Sequence, residues 1–223
     1  MRAFTLIDTL ISIAVIVLLI GLLTPSLSSA NEVARRIACA SNLRQIGLGL
    51  AMYADDWNGR LPPSVFLEPH GRGSGPATQE MVTLRLSGAP GERPAWDGLG
   101  LLFAGDYLPA PRVFYCPSHR GEWKASRMLA DWRTDDAELV GNFHYRGVGP
   151  NGTPFLSQID PQQAALVADA LRSSDSLNHP RGLNVLGADL VVAWVADSSG
   201  ELSMIVVPEE EGEGDPQEWN LAV

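Results

Sequence analysis

FTLIDTLISIAVIVLLIGLL, residues 4–23, is the stretch on which the reading of this chain turns. Twenty residues at the helical rise span about 30 Å, the thickness of a bilayer's hydrocarbon core. Its one charge is Asp8. A carboxylate in such a run costs about 2.5–3.5 kcal/mol at the centre of a membrane helix, so it needs a partner or a place near the interface. Asp8 stands only four residues beyond Phe4, so the interface is available to it. A secretory signal is the rival reading: Arg2 gives the basic start, Ile11 to Leu23 the apolar stretch, and Ser28-Ser29-Ala30 a small-residue cleavage site. Thr5 and Asp8 interrupt that layout, and helical periodicity continues beyond Ala30.

Downstream of Pro25, apolar residues fall at Val33, Ile37, Ala40, Leu43, Ile46, Leu50, Tyr53 and Trp57. Steps of three and four predict a stripe along one helix face. Gly47 and Gly49 weaken that helix, by about 1 kcal/mol each relative to alanine. Asn58-Gly59 followed by Pro62-Pro63 ends it. A single helix over residues 4–56 would be about 80 Å long, with Pro25 bending it near the membrane boundary.

The rest of the 223 residues differs in charge. Residues 1–60 hold five basic and four acidic groups, and residues 61–223 hold eleven against twenty-two, giving the chain its net charge of −10. So acidic a body repels phosphate backbones, and direct nucleic-acid binding is not expected. Hydrophobic content of 45% with 19% charge excludes a mainly disordered chain. Two cysteines are too few for a disulfide-rich scaffold or a four-cysteine zinc site.

Ala3-Phe4-Thr5-Leu6-Ile7-Asp8 resembles the prepilin cleavage/methylation motif of type IV pilins and type II secretion pseudopilins, usually written G-F-T-L-I-E. The resemblance implies that a membrane peptidase cuts between Ala3 and Phe4 and methylates the new amino terminus. It also implies that Asp8 replaces a glutamate that pairs with the amino terminus of a neighbouring subunit, and that Pro25 is the family's helix-kinking proline. Ala3 departs from the usual glycine, and Asp8 is one methylene shorter than glutamate. Ala34-Arg35-Arg36 through Cys39, Ser41 to Gly47, Tyr53-Ala54 and Phe114-Tyr115-Cys116-Pro117-Ser118 are similar to a bacterial branch of pilin-like proteins. Members of that branch often end in an H-X9-D-G element. Here His179 and Asp189 keep the spacing and Leu190 replaces the glycine.

In the remainder, residues 61–99 are rich in Gly and Pro and read as an irregular connection. Residues 99–108 read as a short helix or as a turn leading into 112–116, and residues 122–132 as weakly helical. Strands are predicted within 141–149, at 164–168, as a hairpin of 184–186 with 191–195, and at 204–207. Pattern alone gives an α+β chain; the resemblance implies a long helix packed on an antiparallel sheet. The expected organisation is a leader at 1–3, a transmembrane helix at 4–24, its amphipathic continuation at 25–58, a periplasmic domain at 59–207 and an acidic flexible tail at 208–223. Six acids and no base lie in that tail, but the Glu-Gly alternation has no EF-hand pattern for calcium.

Chemistry is sparse. Cys39 and Cys116 would both face an oxidising periplasm, which makes them a candidate disulfide between helix and sheet; two separate buried thiols are the alternative. Cys116-Pro-Ser-His119 has metal-ligand spacing, yet nothing nearby supplies a second such pair, so no metal is expected. His179 and Asp189 read as a structural hydrogen-bonded pair that pins the hairpin. Asp169 and Asp189 form a carboxylate pair only if their strands place them together. No nucleophile elbow, P-loop or H-E-x-x-H motif is present, so neither an enzyme nor a cofactor is expected. The expectation is a pilin-like structural subunit in the bacterial inner membrane. Its partners would be the prepilin peptidase, like subunits, an inner-membrane assembly platform and membrane lipid. The alternative is a periplasmic binding module or enzyme using the N-terminus only as anchor or signal.

Overall fold

Uninterrupted apolar and amphipathic periodicity dictates a single helix, and in the computed structural model α1 runs unbroken from Leu6 to Asp56. The structure describes residues 6–65, 82–88, 95–134, 137–161, 164–169 and 177–200. Ala3, Phe4, the expected strand at 204–207 and the acidic tail lie outside the described residues. Pro25 sits inside α1, where it denies the Gly21 carbonyl its usual donor. Within the apolar half, the hydroxyls of Thr9, Ser12 and Thr24 donate to the carbonyls of Leu6, Asp8 and Ile20 at 2.7–2.8 Å. These three hydroxyls are thus satisfied within the helix, as an apolar surrounding demands. The helix ends as its sequence dictates: Asn58 and Gly59 take positive φ (54° and 83°). The Gly59 amide closes on the Ala54 carbonyl at 2.7 Å, the six-to-one bond of a Schellman cap.

Two short strands, β1 (Thr83–Arg85) and β2 (Leu139–Val140), pair antiparallel. Between them lie α2 (Gly100–Ala104), a 3-10 turn at Pro111–Phe114 and α3 (Ala125–Met128). A four-stranded antiparallel meander follows, ordered β3 (Phe143–Tyr145), β4 (Ala165–Asp169), β5 (Gly182–Gly187), β6 (Val192–Ala196). The arrangement is α+β: a long N-terminal helix against antiparallel sheets. β4 is buried along its whole length, which explains its unalternating apolar run. β1 escapes the sequence reading because three residues in a Gly/Pro-rich connection carry no period, and their partner lies more than fifty residues away.

The C-terminal half of α1 is the spine of the body. Leu43, Ile46, Leu50 and Tyr53 enter the main core with Leu102, Phe114, Leu166 and Leu186. Gly47 lies against Leu186 of β5, where an added Cβ would stand 3.1 Å from the leucine methyl, and Gly49 lies against Leu102 of α2 at 3.3 Å. The two glycines that weaken the helix locally thus let it lie close against the body.

Two sequence expectations are corrected. Val33 and Ile37 are exposed (44% and 58%), as is Trp57 (53%), which nevertheless stacks on Tyr53. The inward face next to the apolar half carries Glu32, Arg36 and Cys39 instead. An α-helix turns 3.6 residues at a time, so the seam that buries Leu43, Ile46 and Leu50 extends back through residues 39, 36 and 32. The second correction concerns His179 and Asp189, which stand at opposite ends of β5, the first before Gly182 and the second after Gly187. Asp189 caps the β5–β6 turn, its carboxylate accepting from the Val191 amide at 3.0 Å. Asp169 ends β4 beside Asn184, toward the His179 end of β5 and away from the Asp189 turn.

That turn also explains the missing glycine of the H-X9-D-G element. Leu190 has φ 62°, the left-handed region in which a Cβ costs about 1 kcal/mol or more. Leu190 also packs partly against the core, so Leu190→Ala and Leu190→Gly both lose that packing, and only the second relieves the backbone. Chemical unfolding of the detergent-solubilised chain should find the Gly variant more stable than the Ala variant by about 1 kcal/mol. Equal stability would remove the strain.

Candidate functional site

Four stretches of chain converge where α1 first meets the body. From α1 come Glu32, Arg36, Cys39 and Asn42, at helical spacings that put them on one face. The Asn42 amide donates to the Tyr115 carbonyl at 3.0 Å, which fixes the loop just before Cys116. From that loop come Cys116, Ser118 and His119, with the His119 amide returning to the Cys116 carbonyl at 3.1 Å. Asp169 is the last residue of β4. Asn178 and His179 precede β5, and Asn184 lies within it.

At the centre, the donor atoms of Cys39, Cys116, Asp169 and His179 lie within 4.8 Å of one another, and all four residues are buried. The Cys39 thiol donates to Asp169 Oδ1 at 2.8 Å. Asp169 Oδ2 accepts from the backbone amide of Asn184 at 2.6 Å and from its side-chain amide at 3.0 Å. His179 Nε2 stands 3.5 Å from Cys116 Sγ and 3.7 Å from Asp169 Oδ2. Its other nitrogen, Nδ1, meets Glu32 Oε1 at 2.7 Å. Ser118 donates to the same carboxylate at 3.2 Å. Asn178 donates to the Asn142 carbonyl at 2.9 Å and reaches Asp169 Oδ1 at 3.4 Å, its own carbonyl held by His119 Nδ1 at 2.8 Å. The His179 ring meets the edge of Trp194 of β6, over which the Arg36 guanidinium lies at 4.5 Å.

Electrostatics follow from these distances. Burial, then Cys116 and the Asp169 charge, raise the Cys39 thiol well above its ordinary range, so it keeps its proton. Burial alone would raise Cys116 too, but hydrogen bonds from Cys39 and His179 outweigh it and lower the thiol. Burial opposes a charge on His179, yet Cys116, Asp169 and Glu32 together lift the imidazole to about 9. Cys116 and His179 thus favour each other's charged form across their 3.5 Å contact inside the body.

Of the residues singled out from sequence, Cys39, Cys116 and His179 are brought together here and Asp189 is not. Both cysteines are free and adjacent. His119 of the C-x2-H spacing takes no place among the four and instead positions Asn178. Asp8 lies exposed in the first described turns of α1, distant in sequence from the cluster. Glu32, Asn178, Asn184 and Trp194 were not singled out from sequence. The available signal was the Glu32–Arg36–Cys39 spacing, which continues the buried seam. The arrangement can hold a cation through two sulfurs, a nitrogen and an oxygen, or tie helix to sheet by hydrogen bonds alone. Cys39, Cys116, Asp169 and His179 are 0%, 3%, 1% and 2% exposed, which leaves a substrate no approach to them.

A long, half-apolar helix fused to an antiparallel α+β body is the class of protein this fold defines. The family SBP_bac_10, described as "Protein of unknown function (DUF1559)", matches residues 28–165, more than half of the chain, which therefore belongs to that family. The match takes in Glu32, Cys39 and Cys116 and stops short of Asp169 and His179. No curated protein and no solved structure matches the chain.

Asn184 supplies two of the bonds that satisfy Asp169. Asn184→Leu removes the side-chain donor and leaves a buried carboxylate oxygen with a single strong partner. Urea unfolding should show a loss of about 1–3 kcal/mol, whereas Arg127→Ala, which breaks an exposed ion pair with Glu122, should move stability by less than about 1 kcal/mol. Similar small changes for both would mean that the Asp169 network contributes little.

Proposed function

We propose that the chain is a pilin-like or pseudopilin-like structural subunit of a type II secretion or type IV pilus-type system, assembling through α1. The observation that carries this reading is the division of α1 into two unlike halves within one unbroken helix. Up to Leu27 its large apolar residues stand exposed (Leu6 77%, Val17 63%, Leu23 64%), with no body to cover them. From Cys39 onward it is the spine of the folded domain. Among the described residues, one helix is thus long and apolar enough to cross a membrane, near the N-terminus. Lipid before assembly and like helices after it would each cover that surface.

In this reading the prepilin peptidase cuts between Ala3 and Phe4, and Asp8 pairs with the amino terminus of a neighbouring copy. That pairing offsets the cost of a carboxylate in an apolar surrounding. The subunit sits in the inner membrane with its body in the periplasm, against an assembly platform. Burial of the cysteine–histidine cluster supports a structural role over a catalytic one. The alternative, a binding module or enzyme that uses the N-terminus only as anchor or signal, makes a different prediction about processing.

Mass spectrometry of the mature N-terminus separates the readings. Methylated Phe4 is expected; a start at Asn31 would indicate a signal peptide, and intact Met1 an unprocessed anchor, and either would overturn the proposal. Asp8→Ala should insert into the membrane like the parent chain yet lose most of its incorporation into crosslinked oligomers. Full incorporation of the variant would rule out the intersubunit role of Asp8.

A further inference from the structure

We propose that Cys39, Cys116, Asp169 and His179 form a tetrahedral zinc site that fastens α1 to the sheet at the neck of the molecule. Three observations carry it, and none depends on whether the chain assembles. The first is the donor set. Two sulfurs, one imidazole nitrogen and one carboxylate oxygen suit a borderline cation such as Zn²⁺, whereas calcium and magnesium require oxygen ligands throughout. The second is spacing. Zinc–sulfur bonds near 2.3 Å and zinc–nitrogen or zinc–oxygen bonds near 2.0–2.1 Å put tetrahedral donors about 3.2–3.8 Å apart. Here Cys116 Sγ to His179 Nε2 is 3.5 Å, within that range. The Cys39–Asp169 contact at 2.8 Å is a hydrogen bond that the ion would open, and no donor pair exceeds 4.8 Å.

The third observation is the surrounding shell. A metal-bound histidine needs its second nitrogen held by an acceptor, which fixes the tautomer and aims the lone pair. Glu32 provides this at 2.7 Å from Nδ1, leaving Nε2 directed at Cys116 and Asp169. Glu32 is in turn held by Ser118 of the loop that carries Cys116. The Asp169 carboxylate is held through Oδ2 by Asn184, while Oδ1 faces Cys39 with only the longer contact to Asn178 besides. α1 thus brings Cys39 with Glu32, the next loop Cys116 with Ser118, and the segment before β5 His179 with Asn178, while Asp169 at the end of β4 is held by Asn184 of β5.

Binding forms two Zn–S bonds, one Zn–N bond and one Zn–O bond. The two thiol protons, from Cys39 and Cys116, leave to solvent, and His179 coordinates as the neutral imidazole. The bound site holds two thiolates, one carboxylate and a neutral imidazole around a dication, a net charge of −1. Sequence reading missed the site because the nearest expected ligand to Cys116 was His119, three residues on. The structure uses His179, sixty-three residues on, and places His119 behind Asn178.

The test uses the full chain in detergent, stripped with chelator under reductant and titrated with Zn²⁺ against a chromogenic competitor. A single equivalent per chain is expected, with a rise in melting temperature. Co²⁺ in its place should give the visible bands of a tetrahedral ion and a thiolate-to-cobalt charge-transfer band. Cys39→Ser and Cys116→Ser should each abolish stoichiometric binding. Glu32→Gln, which keeps all four ligands and guards against variants that merely fail to fold, should weaken zinc affinity by about 10–100-fold while keeping the charge-transfer band. A folded chain that takes up no zinc would overturn the proposal. So would a cobalt complex without thiolate character, undiminished affinity in Glu32→Gln, or a Cys39–Cys116 disulfide in protein isolated without reductant.

Discussion

A carboxylate that is 1% exposed needs donors, and Asp169 takes its donors from separate parts of the chain. Asn184 supplies two from β5, Asn178 a third from the segment before it, and Cys39 a fourth from α1. Leaving any of them unmade costs the desolvation of a charged group, so the carboxylate locks these elements in register more strictly than apolar packing alone. Around it, the rest of the neck follows. His179 is aimed by Asp169 on one side and Glu32 on the other, and Cys116 is drawn in by His179. Arg36 and Trp194 then close the outer edge.

The helix seam divides into two chemistries along its length. From Leu43 to Tyr53 it buries aliphatic and aromatic groups against Leu102, Leu166 and Leu186. From Glu32 to Cys39 it presents a carboxylate, a guanidinium and a thiol to His179 before β5, Trp194 in the middle of β6 and Asp169 at the end of β4. Apolar contacts tolerate small slides of a helix along its axis. Hydrogen bonds with fixed donors do not, and the polar turn therefore sets where along α1 the body sits.

This division also decides what could be read in advance. α1 was legible because its signal is local: an apolar run, then residues recurring at three and four, then Asn58-Gly59. Strands β3 to β6 were legible because each is a short β-branched or apolar run bounded by turn residues, and consecutive strands pair. β1 was not, since its three residues in an irregular stretch gain their identity only from β2. The stripe was read correctly where it is apolar and wrongly where it is not. Val33 and Ile37 look like seam residues, while Glu32 and Arg36 look solvated, and only three-dimensional neighbours reverse that. The same holds for the cluster. Its ligands lie as far apart as residues 39 and 179, and nothing in the spacing of Cys116 favours His179 over His119. The H-X9-D element carried real information of another kind: its two residues mark the ends of β5, and its missing glycine marks a turn residue at positive φ.

Under the assembly reading, position gives the cluster mechanical meaning. Side chains of α1 from Leu6 to Asn31 are exposed, so the apolar half can exchange lipid for neighbouring helices without disturbing the body. Any displacement of that half reaches the body first at Glu32, Arg36 and Cys39, within two turns of helix. Those three residues grip His179, Trp194 and Asp169, and therefore the sheet through three of its elements at once. A purely apolar neck would yield there by sliding. One built from charged and sulfur ligands yields only when buried bonds break, so the body follows its helix into whatever array the helices form.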